Sequence, residues 1–166
     1  MKSLVTFYSR TGTTRKVAES ISNLLGCDVE EVHDTKNRAG PLGWMRSGRD
    51  AGSKALTTIE PTKKDPGLYD LVIIGTPVWN HTMSTPIRTY LAQFKQSFKQ
   101  VAFFCTQEGS ENSAFKEMES LCNKKPVSLL ALKRKQEVEA EAYLDKVKQF
   151  VDEIVKQTNA SVHQDD

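Results

Sequence analysis

The sequence has little cysteine and no long apolar run. Its three cysteines, Cys27, Cys105 and Cys122, form no Cys-x-x-Cys pair and have no zinc-like spacing. Such scattered cysteines are typical of reduced core residues, and the chain starts on a strand pattern instead of a leader, so we expect a cytoplasmic protein. No apolar stretch approaches the length of a membrane span, so we expect none.

An excess of charge of one sign is also lacking. The 23 Lys and Arg residues are interspersed with 21 Asp and Glu residues, which leaves a net charge of +2. This balance excludes a strong electrostatic footprint for nucleic acid, so we expect no nucleic-acid partner. The short basic cluster at 133–135 is followed by glutamates and is interpreted as a solvated loop.

The length of 166 residues, with 38% apolar and 27% charged residues, predicts one globular domain. We expect that domain over residues 1–158, followed by a disordered C-terminal tail over residues 159–166. The sequence shows no internal repeat and no linker.

Strand and helix patterns alternate along the chain. Strands are predicted at 1–8, 27–32, 69–75, 100–105 and 126–132, and helices at 14–25, 42–56, 85–94, 113–122 and 138–156. This alternation predicts an α/β three-layer sandwich, with a five-stranded parallel sheet of order 2-1-3-4-5 and helices on both faces. Trp44 and Met45 are expected to pack the second helix on the sheet. Arg46 and Arg49 are expected on a solvated side of that helix, with contact to an anionic ligand as the alternative.

In that strand order, a ligand would lie at the switch point beyond strands one and three. The loop after strand one reads Tyr8-Ser9-Arg10-Thr11-Gly12-Thr13-Thr14 and leads directly into a helix. It lacks the Gly-Lys-Ser/Thr of a Walker A loop and the repeated glycines of the dinucleotide fingerprint. Its hydroxyls, its single glycine and the helix N-terminus instead predict a phosphate site. The alternative is a turn that merely caps the helix.

Two further loops meet the same edge of the predicted sheet. Thr76-Pro77-Val78-Trp79-Asn80 places an aromatic at the crevice, where Trp79 could stack on a flat ring. The alternative is that Trp79 folds down over the sheet edge as part of the core. Residues 106–110 offer backbone donors and a glycine, with an ordinary solvated turn as the alternative.

These three motifs resemble those of short-chain flavodoxins, over nearly the whole chain. The resemblance implies a flavodoxin-like fold and a bound FMN. It implies that the phosphate is held by the first loop, namely Ser9, Arg10, Thr11, Gly12, Thr13 and Thr14. It implies that the isoalloxazine ring lies along Thr76, Pro77, Val78, Trp79 and Asn80, with Trp79 stacking, and that its other edge is closed by Thr106, Gln107, Glu108, Gly109 and Ser110.

Two features depart from the pattern of electron-carrying flavodoxins. Those proteins are usually strongly acidic, and their third loop often carries a second stacking tyrosine, which this chain lacks. The function expected is electron transfer through FMN, with an FMN-dependent NAD(P)H:quinone reductase or related oxidoreductase as the alternative, and a binding module without cofactor as a third. The expected partners are redox proteins or a small quinone-like acceptor, and the expected state is a monomer or a homodimer.

Overall fold

A computed structural model of the chain describes residues 1–111 and 113–162, the last two of these by their backbone alone. The strands are β1 Ser3–Phe7, β2 Asp28–Glu31, β3 Leu71–Trp79, β4 Thr82–Met83, β5 Gln100–Gln107 and β6 Leu129–Lys133. The α-helices are α1 Thr13–Leu25, α2 Gly40–Gly52, α3 Thr85–Phe94, α4 Ala114–Cys122 and α5 Leu144–Val162. A 3₁₀ turn at Pro66–Leu68 precedes β3, and a π-helical turn at Arg134–Glu139 follows β6.

Five parallel strands form the sheet in the order β2-β1-β3-β5-β6. Because β4 is a short antiparallel addition to the end of β3, this is the predicted order 2-1-3-4-5, which is confirmed. The strand order reverses between β1 and β3. The loops after these two strands therefore diverge and leave a crevice between them.

The apolar run at the start of β3 explains why this strand is central. Leu71 and Ile73 belong to the core on one face of the sheet, whereas Val72 and Ile74 belong to the core on the other face. All four side chains are fully buried. Successive residues of a strand point to opposite faces, so a continuous apolar run fits a strand that is covered on both sides.

The end of β3 differs from the prediction. The strand does not stop at Gly75 but continues to Trp79, and it forms a hairpin in which Val78 pairs with Met83 and Trp79 with Thr82. The two turn residues, Asn80 and His81, have positive φ angles of 43° and 69°. The prediction that the strand ends at 75 and that a loop begins at Thr76 was therefore wrong, because the antiparallel pairing with β4 extends the strand.

The packing of α2 also differs from the prediction. Trp44 and Met45 are 65% and 63% exposed, so the expectation that they pack on the sheet was wrong. The helix is instead buried through small residues, including Gly43, Ser47 and Ala51. A Cβ added to Gly43 would lie 2.2 Å from the carbonyl carbon of Arg38, so the backbones approach too closely for a side chain there.

The C-terminal helix is shifted relative to the predicted 138–156. It begins at Leu144, after the π-helical turn, and it continues to Val162. Part of the segment predicted as a tail, 159–162, is thus helical, and residues 163–166 lie outside the described residues.

Candidate functional site

The turn between β1 and α1 leaves the helix N-terminus open. Gly12 is the N-cap residue, with a φ of 92°, and its amide donates to Ser9 Oγ at 3.0 Å. The helix has no side-chain cap from this residue and no acidic side chain in its first turn. A Cβ added to Gly12 would meet nothing within 4 Å. The positive end of the helix dipole therefore faces open space, and a helix end of this kind can accept an anion.

The hydroxyl groups of this turn link it to the third predicted loop. Thr14 Oγ1 lies 2.8 Å from Thr106 Oγ1, and both side chains are buried. Thr11 Oγ1 and Thr13 Oγ1 lie 3.5 Å apart on the exposed side. The first turn of α1 is thus joined by a direct hydrogen bond to the end of β5, at the edge of the sheet where the switch-point argument places a ligand.

A small cavity of about 100 Å³ lies over this turn. Its walls are formed by Arg10, Thr11, Thr13, Thr14, Trp44, Pro77, Val78, Trp79, Thr106, Gln107, Glu108 and Arg134. Two guanidinium groups, from Arg10 and Arg134, lie at its rim together with one carboxylate, that of Glu108. We call it the phosphate cavity because of these cations and the open helix end.

Arg134 was missed by sequence reasoning, which interpreted its basic cluster as a solvated loop. It donates to Glu139 at 2.7 Å and to Glu108 at 3.0 Å, and the bond to Glu139 is the main reason that its pKa is raised. The π-helical turn after β6 brings this side chain to the cavity. No periodicity in the sequence indicates such a turn.

A second, larger cleft of about 810 Å³ opens beside the phosphate cavity. It is lined by Trp44, Met45, Ser47, Gly48, Arg49, Val78, Trp79, Asn80, His81, Glu108, Gly109 and Ser110. Trp44, Val78, Trp79 and Glu108 line both spaces, so the two are contiguous. We call the larger space the ring cleft because of its size and its aromatic walls.

Trp79 sits at the junction of the two spaces but is only 9% exposed. Its ring meets Tyr8 edge-on, with centroids 5.4 Å apart, and the guanidinium carbon of Arg38 lies 5.3 Å from its centroid. Burial, followed by the charge of Asp34, raises the pKa of Tyr8 to about 12, so that phenol stays neutral. Trp79 thus belongs to the core, as the alternative interpretation held, while one part of it still lines the cleft.

The buried Arg38 fixes the position of α2. Its Nε donates to Asp34 Oδ2 at 2.5 Å and its Nη1 donates to Asp50 Oδ2 at 3.1 Å. Its side chain is 2% exposed. Because Asp50 lies on α2 and Asp34 follows β2, these two ion pairs attach the helix to the edge of the sheet.

The turn of the hairpin is held from both sides. Asn80 Nδ2 donates to the carbonyl of Gly48 on α2 at 3.3 Å, and the carbonyl of His81 accepts from the amide and the hydroxyl of Ser113 at 3.1 and 3.0 Å. These contacts place the second predicted loop against α2 on one side and against α4 on the other.

The structure brings most of the predicted site residues together. Thirteen of them line one of the two spaces: Arg10, Thr11, Thr13, Thr14, Pro77, Val78, Trp79, Asn80, Thr106, Gln107, Glu108, Gly109 and Ser110. Three predicted site residues line neither space, namely Ser9, Gly12 and Thr76. The hydroxyl of Ser9 accepts from the Gly12 amide within the turn, and the hydroxyl of the buried Thr76 accepts from the amide of Ser84 at 2.9 Å. Their roles toward a cofactor stay predictions.

The helix α2 supplies Trp44, Met45, Ser47, Gly48 and Arg49 to the ring cleft. The sequence analysis considered a ligand contact from this helix only for Arg46 and Arg49, as the alternative to a solvated side, and missed the other residues. The sequence did contain a pattern that indicates which side of α2 is buried. Gly43, Ser47 and Ala51 recur at a spacing of four, which marks a close-packed helix face and leaves Trp44 and Met45 on another side.

In the ranges 1–111 and 113–162, no helix is long and apolar enough to cross a membrane, and no group of His, Cys, Asp and Glu could hold a metal ion.

A doubly wound parallel sheet with an open helix N-terminus and a large cleft at its switch point defines the class of open α/β sheet proteins. Within that class, the family model for flavodoxin matches residues 2–154, so the chain belongs to the flavodoxin family. The chain has no match among the curated proteins.

Solved structures agree with this assignment. A flavoprotein from Lactobacillus acidophilus NCFM, solved in complex with FMN, is 27% identical over 84% of this chain and 97% of that chain, with a TM-score of 0.68. Oxidised flavodoxin 1 from Bacillus cereus is 18% identical over 94% of this chain and 98% of that chain, with a TM-score of 0.59. A flavodoxin from the domain Archaea is 17% identical over 95% of this chain and 99% of that chain, with a TM-score of 0.56. The last two support the fold alone.

Proposed function

We propose that the protein binds FMN and transfers electrons through it. The observation that carries the proposal is the open N-terminus of α1, which faces a cavity that continues into an aromatic cleft. An FMN molecule has the same order of parts: a dianionic phosphate, a polar chain and a flat ring. The flavoprotein from Lactobacillus acidophilus, solved with FMN, supports the choice of flavin.

The phosphate end fits the residues present. The amides of the first turn of α1 and the hydroxyls of Thr11 and Thr13 would donate to the phosphate oxygens, which only accept. Arg10 would balance part of its charge, and Arg134 would contribute less, because it is already paired with Glu108 and Glu139. Gly12 would allow close approach, since any side chain there would enter the open space before the helix and would be strained at a φ of 92°.

One buried oxygen atom without a hydrogen-bond partner suits the polar ribityl chain of FMN. Within the described residues, Oε1 of the buried Gln107 has no hydrogen-bond partner, and Gln107 lines the phosphate cavity. An oxygen acceptor there suits a hydroxyl of the ribityl chain or a ring N–H, which can donate, but not a phosphate, which cannot.

The bound flavin would supply one- and two-electron redox chemistry, and the chain would bind it, orient it and exclude water from it. The backbone of 76–80 and 106–109 would supply donors and acceptors to the ring edges. Glu108, although paired with Arg134, would disfavour negative charge on the ring. We propose a cytoplasmic location, because the three cysteines are free thiols and such thiols are typical of reducing compartments.

The test is an FMN titration of apoprotein with the double variants T11E/T13E and T11S/T13S. Acidic side chains at the phosphate cavity should abolish retention of FMN, whereas serines keep the hydroxyls and should retain it. Equal retention in wild type and T11E/T13E would refute the proposed phosphate site. A potentiometric titration of the loaded protein then tests electron transfer, since a carrier should show resolvable one-electron steps.

The size of the ring cleft favours a second candidate, an FMN-dependent NAD(P)H:quinone reductase or related oxidoreductase. Ligand pockets usually measure about 300–1,000 Å³, and the cleft of about 810 Å³ lies toward the upper end of that range. It has room for a small planar acceptor beside the flavin ring. Steady oxidation of NAD(P)H by the loaded protein alone supports this activity. Absence of turnover with both nucleotides and several quinones would exclude it and leave redox proteins as the partners.

A further inference from the structure

The ring cleft contains one indole whose ring is largely free. Trp79 is 9% exposed, and its ring is already engaged by Tyr8 and Arg38. Trp44 is 65% exposed and lines the same two spaces. An exposed tryptophan at the mouth of an aromatic cleft leaves a large apolar surface in water, which a flat ligand could cover.

The helix that carries Trp44 is firmly held although its indole is exposed. Gly43, the preceding residue, packs against the backbone of Arg38, and Arg38 is ion-paired with Asp34 and Asp50. At the other end of the helix, Asn80 binds the carbonyl of Gly48. The backbone at Trp44 is therefore fixed relative to the hairpin turn, so little ordering of the helix is needed when its side chain meets a ligand.

The geometry points to Trp44 as the residue that stacks on the isoalloxazine ring, with Trp79 serving as the buried wall of the cleft. This inference rests on the proposed binding of FMN. It assigns to α2 the aromatic contact that the third loop, with Gln107, Glu108 and Ser110, does not supply. It also makes α2 the element that selects for flat aromatic ligands.

Fluorescence can separate the two indoles, because the sequence holds only two tryptophans. In the W79F variant Trp44 is the single reporter, and FMN added to the apoprotein should quench most of its emission. In the W44F variant Trp79 is the single reporter. Unchanged Trp44 emission while FMN binds would overturn the inference.

Affinity provides the second measurement, which stands even if W79F does not fold. Stacking on an aromatic side chain strengthens the binding of a flat ring, so W44A should raise the Kd for FMN by roughly 5- to 150-fold, whereas W44F should recover most of the affinity. The matched control is L42A, since Leu42 is 77% exposed on the same helix and lines neither space. Its Kd should equal that of the wild type.

The two possible failures have different signatures. If W44A binds FMN as tightly as the wild type, or if L42A weakens binding as much as W44A, the role of Trp44 is refuted and FMN binding stands. If the wild-type apoprotein itself takes up no FMN, the proposed function is refuted and this inference falls with it.

Discussion

Glu117 on α4 provides a stability test of the contacts that hold the hairpin turn beside the ring cleft. Its carboxylate accepts from Arg88 Nη2 at 2.6 Å and from Ser113 Oγ at 2.8 Å. Arg88 also donates to Thr82 of β4 at 3.0 Å, and Ser113 donates to the carbonyl of His81. The carboxylate thus lies at the centre of a network that connects α3, α4 and the hairpin. We predict that the substitution Glu117→Gln destabilises the protein in a pH-dependent way.

The magnitude follows from the pKa of Glu117. Burial alone would raise it, but hydrogen bonds from Arg88, Ser113 and Thr82 outweigh burial and lower the pKa from 4.5 to about 2. The side chain is 19% exposed, so solvent screening is limited. A shift of this size corresponds to about 3 kcal/mol, and we expect E117Q to lower the free energy of unfolding at neutral pH by roughly 2–3 kcal/mol.

The sign of the pH dependence is fixed by the direction of the shift. Because the pKa of Glu117 is lower in the folded state, the stabilisation that its carboxylate provides is complete above the unfolded pKa of 4.5. This stabilisation is lost as the pH falls through the folded pKa of about 2. Between neutral pH and about pH 3.5, only the unfolded glutamate takes up a proton. Over that interval the difference in free energy of unfolding between wild type and E117Q should therefore become smaller by about 1.4 kcal/mol.

Urea denaturation at several pH values measures both quantities. The control is E119Q, since Glu119 is exposed on the same helix, and its effect should stay within about 0.5 kcal/mol. A difference in free energy of unfolding between wild type and E117Q that does not change with pH would refute the prediction. So would a difference no larger than that of the control at neutral pH.

Three further predictions concern glycine packing, the first turn and the thiols. In urea denaturation, Gly75→Ala should lower the free energy of unfolding by about 1–3 kcal/mol, because the new Cβ would lie 2.0 Å from the buried ring of Phe104. The control Gly48→Ala meets nothing within 4 Å and should raise the free energy of unfolding by about 0.5–1 kcal/mol. Equal effects of the two substitutions would contradict this prediction. Ser9→Ala removes the acceptor for the Gly12 amide and should weaken FMN binding several-fold with a loss of stability of about 1 kcal/mol, measured by titration and by denaturation; an unchanged Kd would count against the turn. Burial raises the pKa of all three cysteine thiols, so they should react slowly with a thiol reagent near neutral pH and all at once after denaturation, and fast labelling of the native protein would contradict this.

The sheet was predictable because its central strands are specified by local apolar runs. The run 71–74 is buried on both faces, which only a central parallel strand allows, and the alternation of strands and helices then limits the topology. The first loop was predictable for a related reason. A hydroxyl-rich turn with one glycine between a strand and a helix has few structural uses, and the open helix end is one of them.

The remaining features depend on contacts between distant segments. The extension of β3 to Trp79 requires pairing with β4, and Arg134 reaches the cavity through a π-helical turn, which no sequence period encodes. Trp44 was misplaced because an apolar residue in a helix was taken to face the core. The close approach of Gly43 to Arg38 reverses that orientation.

The contacts between the three loops are made by the chain itself. Thr14 in the first turn of α1 shares a hydrogen bond with Thr106 at the end of β5, and Ser113 donates to the carbonyl of His81 at the hairpin turn. A site whose walls are joined by such bonds needs little rearrangement to accept a ligand, which lowers the entropic cost of binding. Among the polar groups without a partner in the described residues, the first-turn amides and Oε1 of Gln107 lie on the side of the cavity. The fold therefore leaves open, beside the cavity, the groups that a phosphate and a hydroxyl-bearing chain would fill.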